Sequence, residues 1–229
     1  MNRKVLFSPS LMCMDYLRIG EQIKILDERC DMYHVDIMDG MYVKSFSWSP
    51  MMVEAIKPIT TKPIDIHPMV MDPEALIPLF AKSGADYISL HCDRIIKNAF
   101  QIIDQIKKLG CKVGAIINPS ESLGMIEYYI ELLDKITVMT VDPGYAGQKF
   151  LDCTLKKVEE LVKIRDSRKL DYLIEIDGAC NKYSFKKIYD AGADVFIIGG
   201  SGLFGESQDL VRAWGIMQEN FARASMALK

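Results

Sequence analysis

Short apolar segments alternate with longer amphipathic segments along almost the whole chain. The apolar segments have the length and residue types of strands. They predict eight strands, at Val5–Pro9, Met32–Met38, Pro63–Val70, Tyr87–His91, Lys112–Asn118, Lys135–Val141, Tyr172–Asp177 and Val195–Gly199. Helix-length segments lie between them, including Asp15–Glu28, Asp72–Lys82, Arg94–Leu109, Leu155–Arg168 and Tyr183–Ala191. Strand and helix in alternation predict a parallel sheet covered by helices.

Eight such units favour a closed (β/α)8 barrel, a TIM barrel, over an open doubly wound sheet. An open sheet typically has fewer strands and a Gly-rich first turn, which this chain lacks. Barrels of this kind routinely occupy one domain of this size, so we predict a single domain over residues 1–229. A short echo, Ser83-Gly84-Ala85-Asp86 and Ala191-Gly192-Ala193-Asp194, predicts that two helices end at glycine before the next strand begins.

Charge, the apolar content of the N-terminus and the spacing of the cysteines argue against several classes of protein. The formal net charge of -3 provides no basic surface for nucleic acid. The first nine residues contain too few apolar side chains for a signal peptide or a membrane span, which predicts a cytoplasmic protein. The six cysteines form no C-x-x-C pair, so reduced thiols are expected.

Metal-ligand residue types fall near the carboxyl ends of three predicted strands. His34 and Asp36 are two residues apart and therefore project from one face of a strand, while His67 and Asp177 end two others. In isolation, His34 and Asp36 could equally be a buried hydrogen-bonded pair. Together the four residues predict a site for one divalent metal ion, Zn, Mn, Fe or Co, at the active face of the barrel.

Asp65 and Glu175 each lie two residues before a predicted ligand, on the same inward face and one layer deeper. Two interpretations stay open for them. They could orient the metal ligands through hydrogen bonds, or they could pair with other polar groups inside the barrel.

Three glycine-containing loops follow strands six, seven and eight. They are Asp142–Gln148, Asp177–Ala179 and Gly199–Gly202. Glycine allows backbone N–H groups to approach an anion, and this side of a barrel often binds phosphate, although a single such loop is more often an ordinary turn.

A metal site that faces a phosphate site predicts a phosphorylated sugar as the substrate. Asp36 and Asp177 would then remove and return a proton beside a metal-polarised carbonyl.

Three methionines, Met38, Met69 and Met139, lie at strand ends near these residues. Methionine usually fills a core. The functional alternative is an apolar collar that excludes water from the reaction.

Several motifs together resemble the ribulose-phosphate 3-epimerase family over nearly the whole chain. They are Ser8-Pro9-Ser10-Leu11, His34-Val35-Asp36-Ile37-Met38-Asp39-Gly40, Asp65-Ile66-His67-Pro68-Met69-Val70, Val138-Met139-Thr140-Val141-Asp142-Pro143-Gly144 and Glu175-Ile176-Asp177-Gly178. The resemblance implies the barrel, the four metal ligands, and Asp36 and Asp177 as the proton-transfer pair. It also implies substrate contacts at Ser10, His67, Gly144, Tyr145, Ala146, Gly147, Asp177, Gly178, Ala179, Gly200 and Ser201, and commonly a homo-oligomer.

Within that family, four segments look more like the D-allulose-6-phosphate 3-epimerase branch. They are Ser10–Asp15, Tyr128–Met139, Tyr145–Gln148 and Asp177–Asn181. We therefore predict interconversion of D-allulose 6-phosphate and D-fructose 6-phosphate. The alternatives are epimerisation of D-ribulose 5-phosphate to D-xylulose 5-phosphate, or a sugar-phosphate-binding barrel without catalysis.

Three departures from the family pattern bear on substrate length and loop behaviour. Lys44-Ser45-Phe46 stands where the family usually has a Pro-Asn turn, Pro68 replaces the usual Leu, and Gly200 replaces the Thr of the allulose branch.

Overall fold

The computed structural model describes residues 4–226, which form a barrel of eight parallel strands. The strands are β1 Leu6–Pro9, β2 Tyr33–Met38, β3 Ile64–Met69, β4 Tyr87–His91, β5 Lys112–Ile117, β6 Lys135–Met139, β7 Leu173–Asp177 and β8 Val195–Ile198. Their bounds lie within two residues of those predicted. The predicted single-domain (β/α)8 barrel is confirmed.

The helices are α1 Ile19–Asp27, α2 Pro50–Ile56, α3 Pro73–Ser83, α4 Cys92–Ile95, α5 Ala99–Lys108, α6 Leu155–Arg168, α7 Phe185–Ala191 and α8 Leu210–Met226. Short 3-10 turns lie at Leu11–Cys13, Tyr16–Arg18, Lys57–Ile59, Leu123–Met125, Ile130–Leu132 and Asp152–Thr154, and one turn of π-helix at Gly200–Phe204. Within residues 4–226, no helix combines the length and the apolar character that a membrane crossing requires.

The continuous helix predicted over Arg94–Leu109 is wrong. The chain leaves helical geometry at Asn98 (φ -142°, ψ 31°), so α4 and α5 are separate. Asn98 directly precedes α5, and its side chain donates to Glu74 (2.6 Å) instead of capping the helix. Between β5 and β6 the chain forms two 3-10 turns in place of an α-helix.

The two helices of the sequence echo end as predicted. Gly84 and Gly192 both have left-handed φ values, 104° and 106°, and cap α3 and α7. At the other end of α3, the Asp72 carboxylate accepts the N–H of Ala75, and Pro73 occupies the first turn. These local signals account for the boundaries of α3.

The barrel closes beside β1 and β2. The order of hydrogen-bonded strands runs β1-β8-β7-β6-β5-β4-β3-β2, so β1 and β2 are its two ends. A parallel bridge between Ser10 and His34 joins them. His34, which is predicted to bind the metal, therefore lies where the barrel closes.

Side-chain alternation divides the barrel into two environments. Outward-facing residues of the strands, such as Val35, Ile66 and Ile176, pack with the helices in the main hydrophobic core. Inward-facing positions are largely polar and buried, including Ser8, His34, Asp65, Ser89, Thr137 and Glu175. The interior is therefore a polar layer held inside an apolar shell.

Four aspartates repeat one contact at the amino-terminal end of the barrel. Each lies just before an even-numbered strand and accepts the N–H of a residue on the preceding odd-numbered strand. The pairs are Asp31 with Phe7 (2.9 Å), Asp86 with Ile64 (2.8 Å), Asp134 with Val113 (2.8 Å) and Asp194 with Ile174 (2.9 Å). We refer to these four residues as the aspartate clamps. The Gly-Ala-Asp echo contains two of them.

Replacing the clamp residue Asp134 by Ala should lower the free energy of unfolding by about 1–3 kcal/mol, because the N–H of Val113 loses its partner. Urea unfolding measures this change. Asp104→Ala is the control, since Asp104 forms only an exposed ion pair with Lys108 and should contribute under about 1 kcal/mol. Equal stability of the two variants would contradict the role of the clamp.

Candidate active site

The four predicted metal ligands converge in the structure. One donor atom from each of His34, Asp36, His67 and Asp177 lies within 4.8 Å of the others. Nε2 of His34 is 3.1 Å from Nδ1 of His67 and 3.4 Å from Oδ1 of Asp36, and Nδ1 of His67 is 3.4 Å from Oδ2 of Asp177. Two nitrogen and two oxygen donors around a common point fit one divalent transition metal ion.

The electrostatics of the cluster favour a cation. Burial raises the pKa of Asp36, but the imidazoles of His34 and His67 outweigh burial and hold this pKa well below its usual value. Burial lowers the pKa of His34, yet the carboxylates of Asp36 and Asp65 raise it well above its usual value. The buried carboxylates therefore attract positive charge to the centre of the cluster.

Asp65 orients one of the ligands, as the first interpretation of this residue predicts. Its Oδ2 lies 2.9 Å from Nδ1 of His34. An ionised carboxylate only accepts, so His34 Nδ1 donates, and Nε2 is left free to face the cluster. Ser89 donates to the other oxygen of Asp65 at 2.6 Å.

Glu175 does not orient a ligand, and for this residue the second interpretation holds. Its Oε1 accepts from Thr137 (2.8 Å) and from the ammonium of Lys135 (2.6 Å). Burial, together with the nearby carboxylate of Asp65, raises the pKa of Glu175 above its usual value although Lys135 lowers it.

Lys135 is a functional neighbour that sequence reasoning missed. Its side chain is fully buried, and its Nζ also lies 2.5 Å from Oδ2 of Asp65. Burial lowers the pKa of Lys135, but the carboxylates of Asp65 and Glu175 raise it by a larger amount. The net pKa lies above its usual value, so the ammonium stays charged. His34, Asp65 and Glu175 also place donor atoms within 4.8 Å of one another. The ammonium of Lys135 bonds two of these three residues and supplies the positive charge there.

His91 is a second buried residue that sequence reasoning missed. It ends β4, and its Nε2 lies 2.8 Å from Nε2 of His67. Burial and the nearby His67 lower the pKa of His91 well below its usual value, so its ring is neutral.

A cleft of about 600 Å³, including space open to solvent, lies above the cluster. Its wall contains Asp36 and Asp177, the three methionines and all but one of the predicted substrate contacts: Ser10, Gly144, Tyr145, Ala146, Gly147, Asp177, Gly178, Ala179, Gly200 and Ser201. His67 is fully buried below this wall. The structure therefore places His67 in the cluster rather than at the surface of the cleft.

Several residues outside the predicted substrate contacts also line the cleft, some of them within the predicted glycine-containing loops. They are Met12, Cys13, Val141, Asp142, Pro143, Gln148, Cys180, Ile197 and Gly199. Most adjoin predicted contacts in sequence. Met38, Met69 and Met139 are buried and line the same space.

The fold and this geometry define a class of protein: a (β/α)8 barrel whose carboxyl-terminal face joins a two-histidine, two-aspartate cluster to a glycine-lined cleft. A sequence profile described as "Ribulose-phosphate 3 epimerase family" matches residues 6–204. The chain belongs to the ribulose-phosphate 3-epimerase family, and it is an enzyme of the isomerase class that acts on carbohydrate phosphates.

Named relatives agree with this assignment. The chain is 39% identical over 206 residues to the ribulose-phosphate 3-epimerase of Synechocystis, covering 89% of each chain. It is 36% identical to the chloroplastic ribulose-5-phosphate-3-epimerase of Arabidopsis thaliana over 88% of this chain and 72% of the relative. Among solved structures, KGPDC from Streptococcus mutans matches with a TM-score of 0.71 over 96% of this chain and 98% of the other. At 12% identity, that match shows the fold alone.

Proposed function

We propose that this protein is a metal-dependent 3-epimerase of a phosphorylated ketose. The observation that carries the proposal is that Asp36 and Asp177 line the cleft while both contact the buried imidazoles of His34 and His67. They lie on β2 and β7, well apart in the barrel, so two carboxylates can face one substrate carbon from different sides. Inversion at a carbon beside a carbonyl requires that arrangement.

In the proposed reaction, one aspartate takes the proton from C3 and the other returns a proton to the opposite face. The ligands His34, Asp36, His67 and Asp177 would hold Zn, Mn, Fe or Co, and a divalent ion supplies stabilisation of negative charge on the enediolate oxygens. Ser10 donates to Oδ2 of Asp36 at 2.9 Å and fixes the direction of this carboxylate. The buried methionines limit access of water to the intermediate.

The glycine-lined side of the cleft is proposed to bind the phosphate group. Among the described residues that line the cleft there is no Lys or Arg, so backbone N–H groups would bind the phosphate. Gly178 has a φ of 114°, and a Cβ there would come within 2.6 Å of Val141. The close approach of these loops therefore requires glycine.

Gly200→Ala tests the phosphate site without disturbing the fold. A Cβ at Gly200 would meet no described heavy atom within 4 Å, and Gly200 lines the cleft. The added methyl group should crowd a bound phosphate and raise KM about tenfold, which corresponds to about 1.4 kcal/mol. Gly215→Ala, in equally open surroundings on α8, is the control and should leave KM unchanged. A Gly200→Ala enzyme with the original KM would place the phosphate elsewhere.

The identity of the ketose rests on two different observations. The named relatives are ribulose-phosphate 3-epimerases, and their names favour D-ribulose 5-phosphate over the predicted D-allulose 6-phosphate. They support the alternative of the sequence analysis better than its main prediction. D-allulose 6-phosphate stays a second candidate because of the four branch-like segments, each of which contributes at least one residue to the wall of the cleft.

Measuring kcat/KM for both ketose phosphates with the same metal-loaded enzyme decides between them. A clear preference for ribulose 5-phosphate would establish the pentose enzyme, and a clear preference for allulose 6-phosphate would establish the hexose enzyme. Turnover of neither, with phosphate ligands still bound, would instead support the non-catalytic binding barrel.

We also propose a cytoplasmic homo-oligomer that binds neither nucleic acid nor membranes. Six unpaired cysteines suit a reducing compartment. Large apolar side chains are exposed on the loops and helix after β1 to β3, including Leu17, Met41, Phe46 and Met51, and suit contacts between copies. Light scattering of the purified protein tests the oligomeric state, and a monomer at all concentrations would contradict it.

A further inference from the structure

The side chains behind His67 contain hydrogen-bonding groups that the proposed reaction does not use. The buried His91 ends β4, and the half-buried Asn118 directly follows β5. In the register of these strands His91 pairs with Ile116, and Asn118 follows two residues later on the same inward face. Asn118 therefore lies above His91 on the side of the cleft.

The contacts of His67 define which of its nitrogens faces the metal site. Nδ1 lies 3.1–3.4 Å from His34, Asp36 and Asp177, whereas Nε2 faces only His91. A neutral imidazole that ligates through Nδ1 carries its proton on Nε2. That proton has one acceptor at 2.8 Å, which is Nε2 of His91.

This assignment fixes the proton of His91 as well. If Nε2 of His91 accepts from His67, the neutral His91 ring carries its proton on Nδ1. Nδ1 of His91 is buried, and within residues 4–226 it has no hydrogen-bond partner. The next group in the direction of Asn118 must therefore accept this proton.

Asn118 presents the matching acceptor. Its Nδ2 donates to Tyr42 Oη (3.1 Å) and to Glu121 Oε1 (3.0 Å), which orients the amide and turns its oxygen the other way. Oδ1 of Asn118 is also buried and unpaired among the described residues, and the Asn118 side chain lies beside His91. A buried donor and a buried acceptor, both without partners, thus lie on neighbouring side chains.

We propose that His91 and Asn118 are positioning residues that set the tautomer of His67: His67 donates to His91, and His91 donates to Asn118. The inference rests on the metal site of the proposed function. It adds a chain of hydrogen bonds that continues to Tyr42, on the segment between β2 and α2, whose hydroxyl accepts from Asn118 and donates to Asp93.

Zn²⁺ affinity, measured by competition with a chromophoric chelator, tests the proposal. His91→Phe keeps the ring volume but removes the acceptor, and we expect its Zn²⁺ affinity to fall about 10- to 100-fold. His91→Gln restores an acceptor and should recover part of the affinity. Asn118→Leu should lower affinity less than His91→Phe. The double variant should be no weaker than His91→Phe, because Asn118 acts only through His91.

Tyr128→Phe serves as the control, since it removes the hydroxyl of an exposed tyrosine that lies outside this network. Its Zn²⁺ affinity should stay within about threefold of the original. Urea unfolding of every variant separates loss of ligand positioning from loss of fold.

¹⁵N NMR of the zinc-loaded protein reports the tautomers directly. We expect His67 to be protonated on Nε2 and His91 on Nδ1. Protonation of His91 on Nε2 would overturn the proposal, as would unchanged Zn²⁺ affinity in a folded His91→Phe variant. If the original protein itself bound no Zn²⁺, Mn²⁺, Fe²⁺ or Co²⁺, the proposed function would fail, and with it the metal site on which this inference depends.

Discussion

Asp36→Asn and Asp177→Asn should each lower kcat for 3-epimerisation by a factor of about 10²–10⁴, because each removes one of two groups that transfer a proton at C3. Each variant retains one carboxylate. It can therefore still exchange the C3 proton of one epimer with solvent deuterium, while inversion is lost. Mass spectrometry of both epimers in D₂O measures exchange and inversion separately.

Both residues also belong to the metal cluster, so the comparison must be made with metal bound. Metal content should be measured for each variant, and rates compared at saturating metal. Asp104→Asn is the control: it makes the same substitution on an exposed residue of α5, outside both the cluster and the cleft wall, and should keep kcat near its original value. A metal-loaded Asp177→Asn enzyme that retained full kcat would refute two-carboxylate catalysis.

Lys135→Met should destabilise the protein by about 3–5 kcal/mol, the largest stability effect we expect of a single side chain here. Lys135 is buried completely between Asp65 and Glu175. Without the Lys135 ammonium, the buried carboxyl groups of Asp65 and Glu175 lie near each other with no shared cation. Urea unfolding measures the loss, and metal affinity should fall as well, since Asp65 orients His34.

Lys112→Met provides the control for that experiment. Lys112 and Lys135 are the first residues of adjacent strands, but Lys112 is exposed and bonds only the hydroxyl of Tyr87. We expect the Lys112 variant to lose less than about 1 kcal/mol. In the Lys135→Met/Glu175→Gln double variant, one of the two unpaired acids is neutralised, so part of the lost stability should return. If Lys135→Met were as stable as Lys112→Met, the buried ion pairs would carry little stability.

The barrel itself was predictable because its signals are local. Apolar runs of strand length, separated by amphipathic segments, gave eight strands to within two residues, and glycine marked the ends of α3 and α7. The helix break at Asn98 was missed because the apolar periodicity continues through it. No local signal marks the break, because the Asn98 side chain makes no capping hydrogen bond to α5.

The four clustered residues were also predictable, since parallel strands place their carboxyl ends at one face of the barrel. Lys135 was not. Lysine at the start of a strand reads as a surface residue, and its partners Asp65 and Glu175 lie 70 and 40 residues away in sequence. The one available signal was alternation, which places Lys135, Thr137 and Met139 on one face.

His91 carried a similar signal that was overlooked. It is one of only three histidines in the chain, and it ends a strand next to the strand of His67. Its contact with His67 Nε2 depends on which imidazole nitrogen faces the cluster, and sequence spacing does not specify that. The separate roles of Asp65 and Glu175 likewise depend on Lys135, which is distant from both in sequence and contacts them only in the folded barrel.

The aspartate clamps also bear on how the barrel assembles. Each joins residues only 20–24 positions apart, at the same place in four successive strand pairs. Contacts of such short range form early and quickly in folding, because little chain entropy is lost in closing them. Four pairs, β1 with β2, β3 with β4, β5 with β6 and β7 with β8, could therefore condense independently, leaving the junctions between the pairs as the later steps. The reactive end of the molecule would then acquire its geometry last, when the pairing of β2 with β3 brings His34 to His67.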